Sequence, residues 1–217
     1  MVMGAEANAV VWKDEFFPEG FIPEIIELVT STWGTFKNPN RNEHEERITR
    51  RFAERVRQEK NRRYDLPFKI RVEVSIPDVE NGQEIGRVDF IFDYIGTIRE
   101  EVYFAFECKR LRILYESGLN TNNSEYTNEQ GMMCFITGKY SEGLPCGGMI
   151  GYVMDGKTEK AILSLGKIIK NKRLALKLAK DTGLEHSSVM GISQNVRETR
   201  HILNERKLTI HHIFLAV

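Results

Sequence analysis

Asp89, Glu107 and Lys109 stand on two β-rich runs within residues 86–109, Gly-Arg-Val-Asp-Phe-Ile-Phe-Asp-Tyr and Tyr-Phe-Ala-Phe-Glu-Cys-Lys, joined by a short polar break. Read as an antiparallel hairpin centred near Ile98, the register sets Asp89 opposite Glu107, and alternation makes two faces. One face carries Val88, Phe90 and Phe92 against Cys108, Phe106 and Phe104, all apolar. The other carries Asp89 and Asp93 against Glu107 and Tyr103, with Lys109 beside them. Like charges opposed across strands destabilise a sheet. Carboxylates inside so regular a pattern therefore point to a divalent cation. Hard cations such as Mg²⁺ take oxygen ligands, polarise phosphoryl oxygens and make water nucleophilic. A lysine on the same face can orient the attacking water or help to deprotonate it.

The flanking sequence supplies the elements that must hold these groups. An amphipathic helix over 19–34 carries Phe21, Ile25, Leu28 and Val29 on one side, and a turn-rich break over 36–42 contains Pro39. A second helix runs from about Glu43 to Lys60 with Ile48, Phe52 and Val56 on one buried stripe. Residues 68–76 alternate as a strand closed by Pro77, residues 79–86 read as a loop, and the hairpin follows. The polar stretch 112–128, with Asn120, Asn122 and Asn123, reads as a mobile loop. Then come a helical pattern over 130–137, a buried strand over 147–154, a lysine-rich helix over 157–180 and a terminal strand over 208–217. This order predicts an α/β fold, one central mixed β-sheet flanked by helices. Residues 1–40 read as an N-terminal helical extension packed on a core of 41–217.

The Asp … Glu-x-Lys arrangement of Asp89, Glu107 and Lys109 resembles the PD-(D/E)XK nuclease superfamily, whose fold is restriction-endonuclease-like, over roughly residues 41–217. The proline that usually precedes the first Asp is replaced here by Val88. The resemblance implies Asp89 and Glu107 as Mg²⁺ ligands, with Mn²⁺ able to substitute, and Lys109 as the water-activating residue. Members often add a Glu from the helix before the sheet. Among Glu43, Glu45 and Glu46, helical spacing places Glu45 on the buried stripe, three residues before Ile48. Its alternative role is an acid favoured by the helix dipole. The resemblance also implies a Gln or Lys after the catalytic strand that contacts phosphate or water. Gln130 fits, with Lys139 or Tyr140 nearby; the alternative is an ordinary helix with Met132, Phe135 and Ile136 in the core.

Other features limit the reading. The chain of 217 residues carries 31 basic and 31 acidic side chains, so no overall field announces a polyanionic partner. The charge is segregated, however: residues 1–30 hold one Lys against six acids, and 157–180 hold eight Lys or Arg against one acid. The arginines of the second helix, Arg47, Arg50, Arg51, Arg55 and Arg57, either hold a phosphate backbone or form a solvated face with Glu54 and Glu59. Cys108, Cys134 and Cys146 lack metal-finger spacing, and the chain has neither a P-loop nor G-x-G-x-x-G. His211 and His212 cannot share one face of a strand, and the His186-Ser187-Ser188 run has no evident acid partner. No apolar run approaches membrane-spanning length and no signal peptide is evident, so the expectation is a cytoplasmic protein. The function expected is Mg²⁺-dependent hydrolysis of DNA, with specificity from a homodimer or partner subunit, in a setting such as bacterial or phage defence against foreign DNA. RNA as substrate, or a catalytically silent binding subunit that engages a partner through its acidic N-terminus, are the alternatives.

Overall fold

The computed structural model describes residues 17–63, 66–77, 81–96, 102–140, 144–191, 195–204 and 206–217. The hairpin turn around Ile98, the acidic residues before Phe17 and part of the 79–86 loop lie outside them. A 3₁₀ turn, Glu19–Phe21, leads into α1, Ile22–Thr35, and α2 spans Glu45–Arg62. Helix α2 begins later than its pattern predicts because Glu43 belongs to the preceding turn, its N–H donating to Asn40 O at 2.8 Å. Ile25, Leu28 and Val29 of α1 and Ile48, Phe52 and Val56 of α2 are wholly buried, as their spacing requires.

Strands β1 (Phe68–Pro77), β2 (Glu84–Tyr94) and β3 (Tyr103–Leu111) run antiparallel in succession. Two short strands, β4 (Ile113–Tyr115) and β5 (Gly118–Asn120), form a separate hairpin, followed by α3 (Asn123–Thr127) and α4 (Met133–Ile136). Next come β6 (Cys146–Val153), α5 (Thr158–Asn171), β7 (Glu185–His186), β8 (Val196–Leu203) and β9 (Arg206–Ala216). Seven strands make one mixed sheet in the order β1-β2-β3-β6-β9-β8-β7, with β3–β6 and β6–β9 parallel. The fold class is α/β. All eight residues of β6 are buried, as expected of a parallel strand covered on both faces. Its Gly148 lets the chain pass beneath an aromatic ring, since a Cβ there would run into Phe106.

On one face Tyr152 of β6 stacks on Trp33 at 5.5 Å, and Trp33 Nε1 donates to Ala216 O at 2.9 Å, locking α1 to β9. On the other face Tyr126 of α3 stacks on His212 and Phe214, and α5 packs beside α3. Three expectations are corrected. Residues 112–128 are not a mobile loop: Leu114 pairs with Leu119 across a hairpin, and Asn120 Oδ1 takes the Asn122 N–H at 3.0 Å. Asn122 adopts φ 56°, a left-handed turn that Asn tolerates, to open α3. The asparagines are there to turn the chain. The lysine-rich helix stops at Asn171 because the chain beyond it is drawn onto β8, Ala179 N–H donating to Arg200 O at 2.8 Å and Ile202 N–H to Lys177 O at 2.9 Å. The helical pattern over 130–137 yields only the single turn of α4. Among the described residues no helix is long and apolar enough to cross a membrane.

The far half of the sheet is tied by a buried chain of side chains. His201 Nδ1 lies 2.7 Å from Leu176 O, which can only accept, so Nδ1 carries the proton and Nε2 is an acceptor. Thr199 must then donate to His201 Nε2 (2.7 Å) and accept from His212 Nε2 (2.9 Å). His212 Nδ1 is left to accept the Tyr126 hydroxyl at 3.0 Å. One carbonyl thus fixes every proton, and both rings must be neutral. Burial lowers His201 to about 4 from an ordinary 6.5, and burial with the neighbouring histidines lowers His212 further. Between those values the unfolded chain binds protons that the folded chain refuses, so stability falls as pH drops from about 6.5 to about 4. The urea midpoint should fall across that window, and His201→Phe should flatten the fall. A midpoint equally pH-dependent in both proteins would contradict the assignment.

Candidate active site

Strands β2 and β3 pair with Phe90 opposite Phe106 and Asp93 opposite Tyr103, a register that continued by one residue sets Asp89 opposite Glu107. Pairing stops at Phe90 and Phe106, and β3 continues with only β6 beside it. Its other edge, inside the protein, is open over Cys108–Arg110. A buried backbone N–H left without a partner costs on the order of 1–3 kcal/mol, and here side chains replace the missing strand. Asp89 Oδ2 accepts the Cys108 N–H at 2.6 Å, and Glu45 Oε2 accepts the Arg110 N–H at 2.6 Å. Lys109 Nζ donates to Cys108 O at 3.0 Å, and Asn122 Nδ2 donates to Arg110 O at 3.0 Å.

The same arrangement gathers charge. Lys109 Nζ lies 2.6 Å from Glu107 Oε1 and 3.2 Å from Glu45 Oε1. Glu107 and Lys109 are buried, while Asp89 and Glu45 are half-buried with their carboxylates turned inward onto β3. Burial, then repulsion from Glu107, pushes the Asp89 carboxyl well above the usual carboxylate range. Burial likewise raises Glu107, against the pull of Lys109. Lys109 would be lowered by burial, but attraction to Glu107, Glu45 and Asp89 holds it above the ordinary lysine value. In this arrangement Lys109 is an ammonium, a donor of positive charge and hydrogen bonds and not a base.

Asp89, Glu107, Lys109 and Glu45 therefore meet at one strand edge. Asp93 does not join them; Arg71 of β1 holds it through two hydrogen bonds, one at 2.9 Å. Gln130 is exposed, and only its backbone N–H is engaged, by Asn128 Oδ1 at 2.9 Å. Its segment brings Cys134 and Tyr140 close to Glu107 instead: both are buried, and after burial it is Glu107 that raises each of them. The Tyr140 hydroxyl donates to Arg87 O at 2.6 Å. Lys139 lies over Gly86, with its ammonium 5.6 Å from the Tyr140 ring. Sequence reasoning missed Asn122, whose only signal was an asparagine between a hairpin and a helix, and Cys134, which gave none. The arginines of α2 are engaged by acids: Arg47 and Arg51 by Glu43, Arg50 by Glu73, Arg55 by Glu59 and Arg57 by Glu54. They form a self-neutralised surface. Ser188, against expectation, has an acid partner: its Oγ donates to Glu198 Oε2 at 2.7 Å.

The donor set suits a hard cation. Glu107 Oε2 is buried without a hydrogen-bond partner, and the repulsion between Asp89 and Glu107 is what a cation would relieve. Among the described residues no group of three or more His, Cys, Asp or Glu side chains is placed to hold a metal ion, and Glu45 is already engaged by the Arg110 N–H and by Lys109. Mg²⁺ does not need such a group, since it is commonly held by one or two carboxylates, waters and substrate phosphate.

The two roles of Asp89, backbone acceptor and repelled charge, can be separated by mutation. Asp89→Asn keeps an acceptor for Cys108 N–H and removes the charge, so with metal chelated its melting temperature should equal or exceed that of the parent. Asp89→Ala removes both and should lose about 1–3 kcal/mol by chemical denaturation. Equal loss in both variants would show that the hydrogen bond to β3 is not what Asp89 contributes. Comparison with known proteins finds no match: no protein-family model matches the chain, and no significant match exists among curated proteins or solved structures.

Proposed function

We propose that this protein is a metal-dependent endonuclease of the PD-(D/E)XK type acting on DNA, its sheet and helices a restriction-endonuclease-like fold. The carrying observation is the meeting of Asp89, Glu107, Lys109 and Glu45 at the open edge of β3, with Glu107 Oε2 unpartnered. Asp89 and Glu107 offer the oxygen donors that would hold Mg²⁺, or Mn²⁺ in its place. When bound, that ion would polarise a phosphoryl oxygen and acidify a water. Lys109 places a positive charge beside the carboxylates, its three N–H donors taken by Cys108 O, Glu107 and Glu45, and that charge would stabilise negative charge developing on the phosphate. Glu45 keeps the Lys109 ammonium in place through its 3.2 Å contact. In the reaction the water gives up a proton to solvent as its oxygen forms a new P–O bond, the bond to the leaving sugar oxygen breaks, and that oxygen takes up a proton from solvent. Defence against foreign DNA is the setting we propose for it, on the strength of the resemblance alone.

One observation favours a catalytically silent binding module: Lys109 already neutralises Glu107 and Glu45, so the cluster holds together without a cation. Plasmid, single-stranded DNA and RNA incubated with Mg²⁺ or Mn²⁺ separate these readings. The enzyme should cut DNA, and Glu107→Gln and Lys109→Met should each lose about 100-fold or more. Calorimetric titration with Mn²⁺ should show binding to the parent that Glu107→Gln abolishes. Neither cutting nor Mn²⁺ binding in the parent would leave the silent module as the reading, and cutting of RNA alone would reassign the substrate.

A further inference from the structure

Beside Glu45 a cavity of about 400 Å³ opens between the start of α2 and the β4–β5 hairpin. That is within the range of small-ligand sites. Its walls are of two kinds. Ile113 and Tyr115, alternate residues of β4, give it an apolar side, while Glu46, Glu125 and Arg110 together with His44, Asn120 and Asn122 give it a charged and polar one. Counting Glu45, three carboxylates line the cavity against the single guanidinium of Arg110. A phosphate would be repelled there. A flat, neutral heterocycle that donates N–H groups would be accepted, stacked on Tyr115 and hydrogen-bonded by the carboxylates.

The hairpin has a second face. Leu114 and Leu119 are direct cross-strand partners, so both project opposite to Ile113 and Tyr115. They are 63% and 46% exposed, and Tyr115 at the rim is 48% exposed. A two-stranded hairpin that turns Ile113 and Tyr115, with Asn120, toward the cavity and carries a bare leucine pair on its outer side has more apolar surface than its own packing uses. Its position is fixed. Arg112 adopts φ 54° where the chain leaves β3, and its guanidinium is clasped by Asp155, with Nη2 2.8 Å from Oδ2. Beyond β5, Asn122 ties the other end to Arg110 O and to Glu125 Oε2 at 2.9 Å.

We infer that the cavity takes one unpaired nucleobase, adjacent to the phosphate held at Lys109, and that Leu114 and Leu119 rest against the base left behind in the stack. The substrate class is then nucleic acid with a single-stranded or locally unpaired nucleotide at the cut, because drawing a base out of an intact duplex costs a few kcal/mol. The inference rests on the nuclease reading and narrows its substrate.

The test uses the full parent chain with divalent cations chelated, so that it binds without cutting, and fluorescence anisotropy with labelled oligonucleotides of equal length. One is a fully paired duplex, and the other carries a single unpaired nucleotide at its centre. The unpaired substrate should bind about tenfold more tightly. Tyr115→Ala should bring that ratio close to one, and Tyr115→Phe, which keeps the ring, should preserve it. Both variants change an exposed position, and circular dichroism verifies their folding. Equal affinity for the two substrates, or a preference that survives Tyr115→Ala, overturns the base pocket, while duplex cleavage by the parent keeps the nuclease reading. Failure of the parent to bind any nucleic acid when chelated, or to cut any in Mg²⁺ or Mn²⁺, overturns both.

Discussion

Inside this sheet two neighbouring strands part partway along, β2 leaving β3 after Phe90 while it stays paired with β1, and the bare edge of β3 is the constraint from which the site follows. From Cys108 to Arg110 the backbone of β3 has donors and acceptors facing away from β6 and no strand to receive them. Unpaired edges usually sit at the margin of a sheet, where water or protective residues deal with them. This one is internal and must be satisfied from within. Asp89, Glu45, Lys109 and Asn122 do so, one for each exposed backbone group. Three of those four side chains carry charge. Closing a gap in hydrogen bonding therefore concentrates ionised groups in a partly desolvated place, with Glu107 among them.

The electrostatic outcome is a cluster in tension. Asp89 and Glu107 resist ionisation because of burial and each other, whereas Lys109 resists neutralisation because carboxylates surround it. Strongly perturbed adjacent groups are common where chemistry is done, whereas the apolar face of the same hairpin is packed with phenylalanines, Phe90 stacking on Phe106 at 4.9 Å. The rigidity of that packed face is what keeps the charged face in register. Gly148 contributes from the neighbouring strand by letting Phe106 lie against β6.

Much of this could be read from the chain because it depends on short-range periodicity. Alternation alone gave the two faces of the β2–β3 hairpin and its register, and the helical period gave Ile48, Phe52 and Val56 as a buried stripe with Glu45 at its start. What could not be read depends on distant pairing. Strand β8 follows a stretch whose residues look helical by composition, and only the meeting of Leu178 with His201 draws that stretch out of α5. The polarity of 112–128 suggested freedom, yet Asn120 and Asn122 spend their amides on backbone groups that only the folded chain brings near. Gln130 was chosen by analogy of position. Cys134 and Tyr140 reach Glu107 because a single helical turn and the loop after it fold back beneath β2, where the Tyr140 hydroxyl finds Arg87 O.

Two buried polar systems within one sheet show how satisfaction separates structure from function. The Tyr126–His212–Thr199–His201 chain is neutral, and Leu176 O sets the direction of every proton in it. Such a network rigidifies its surroundings and has no capacity left for a ligand. At the open edge of β3 the groups are ionisable, Glu107 Oε2 has no partner, and burial raises the Asp89 and Glu107 carboxyls. Both systems lie under the same β6–β9 scaffold, so the difference is not one of fold quality. The first network is complete down to its last hydrogen bond, and the second is short of one at Glu107 Oε2, one of four buried side-chain atoms without a partner among the described residues.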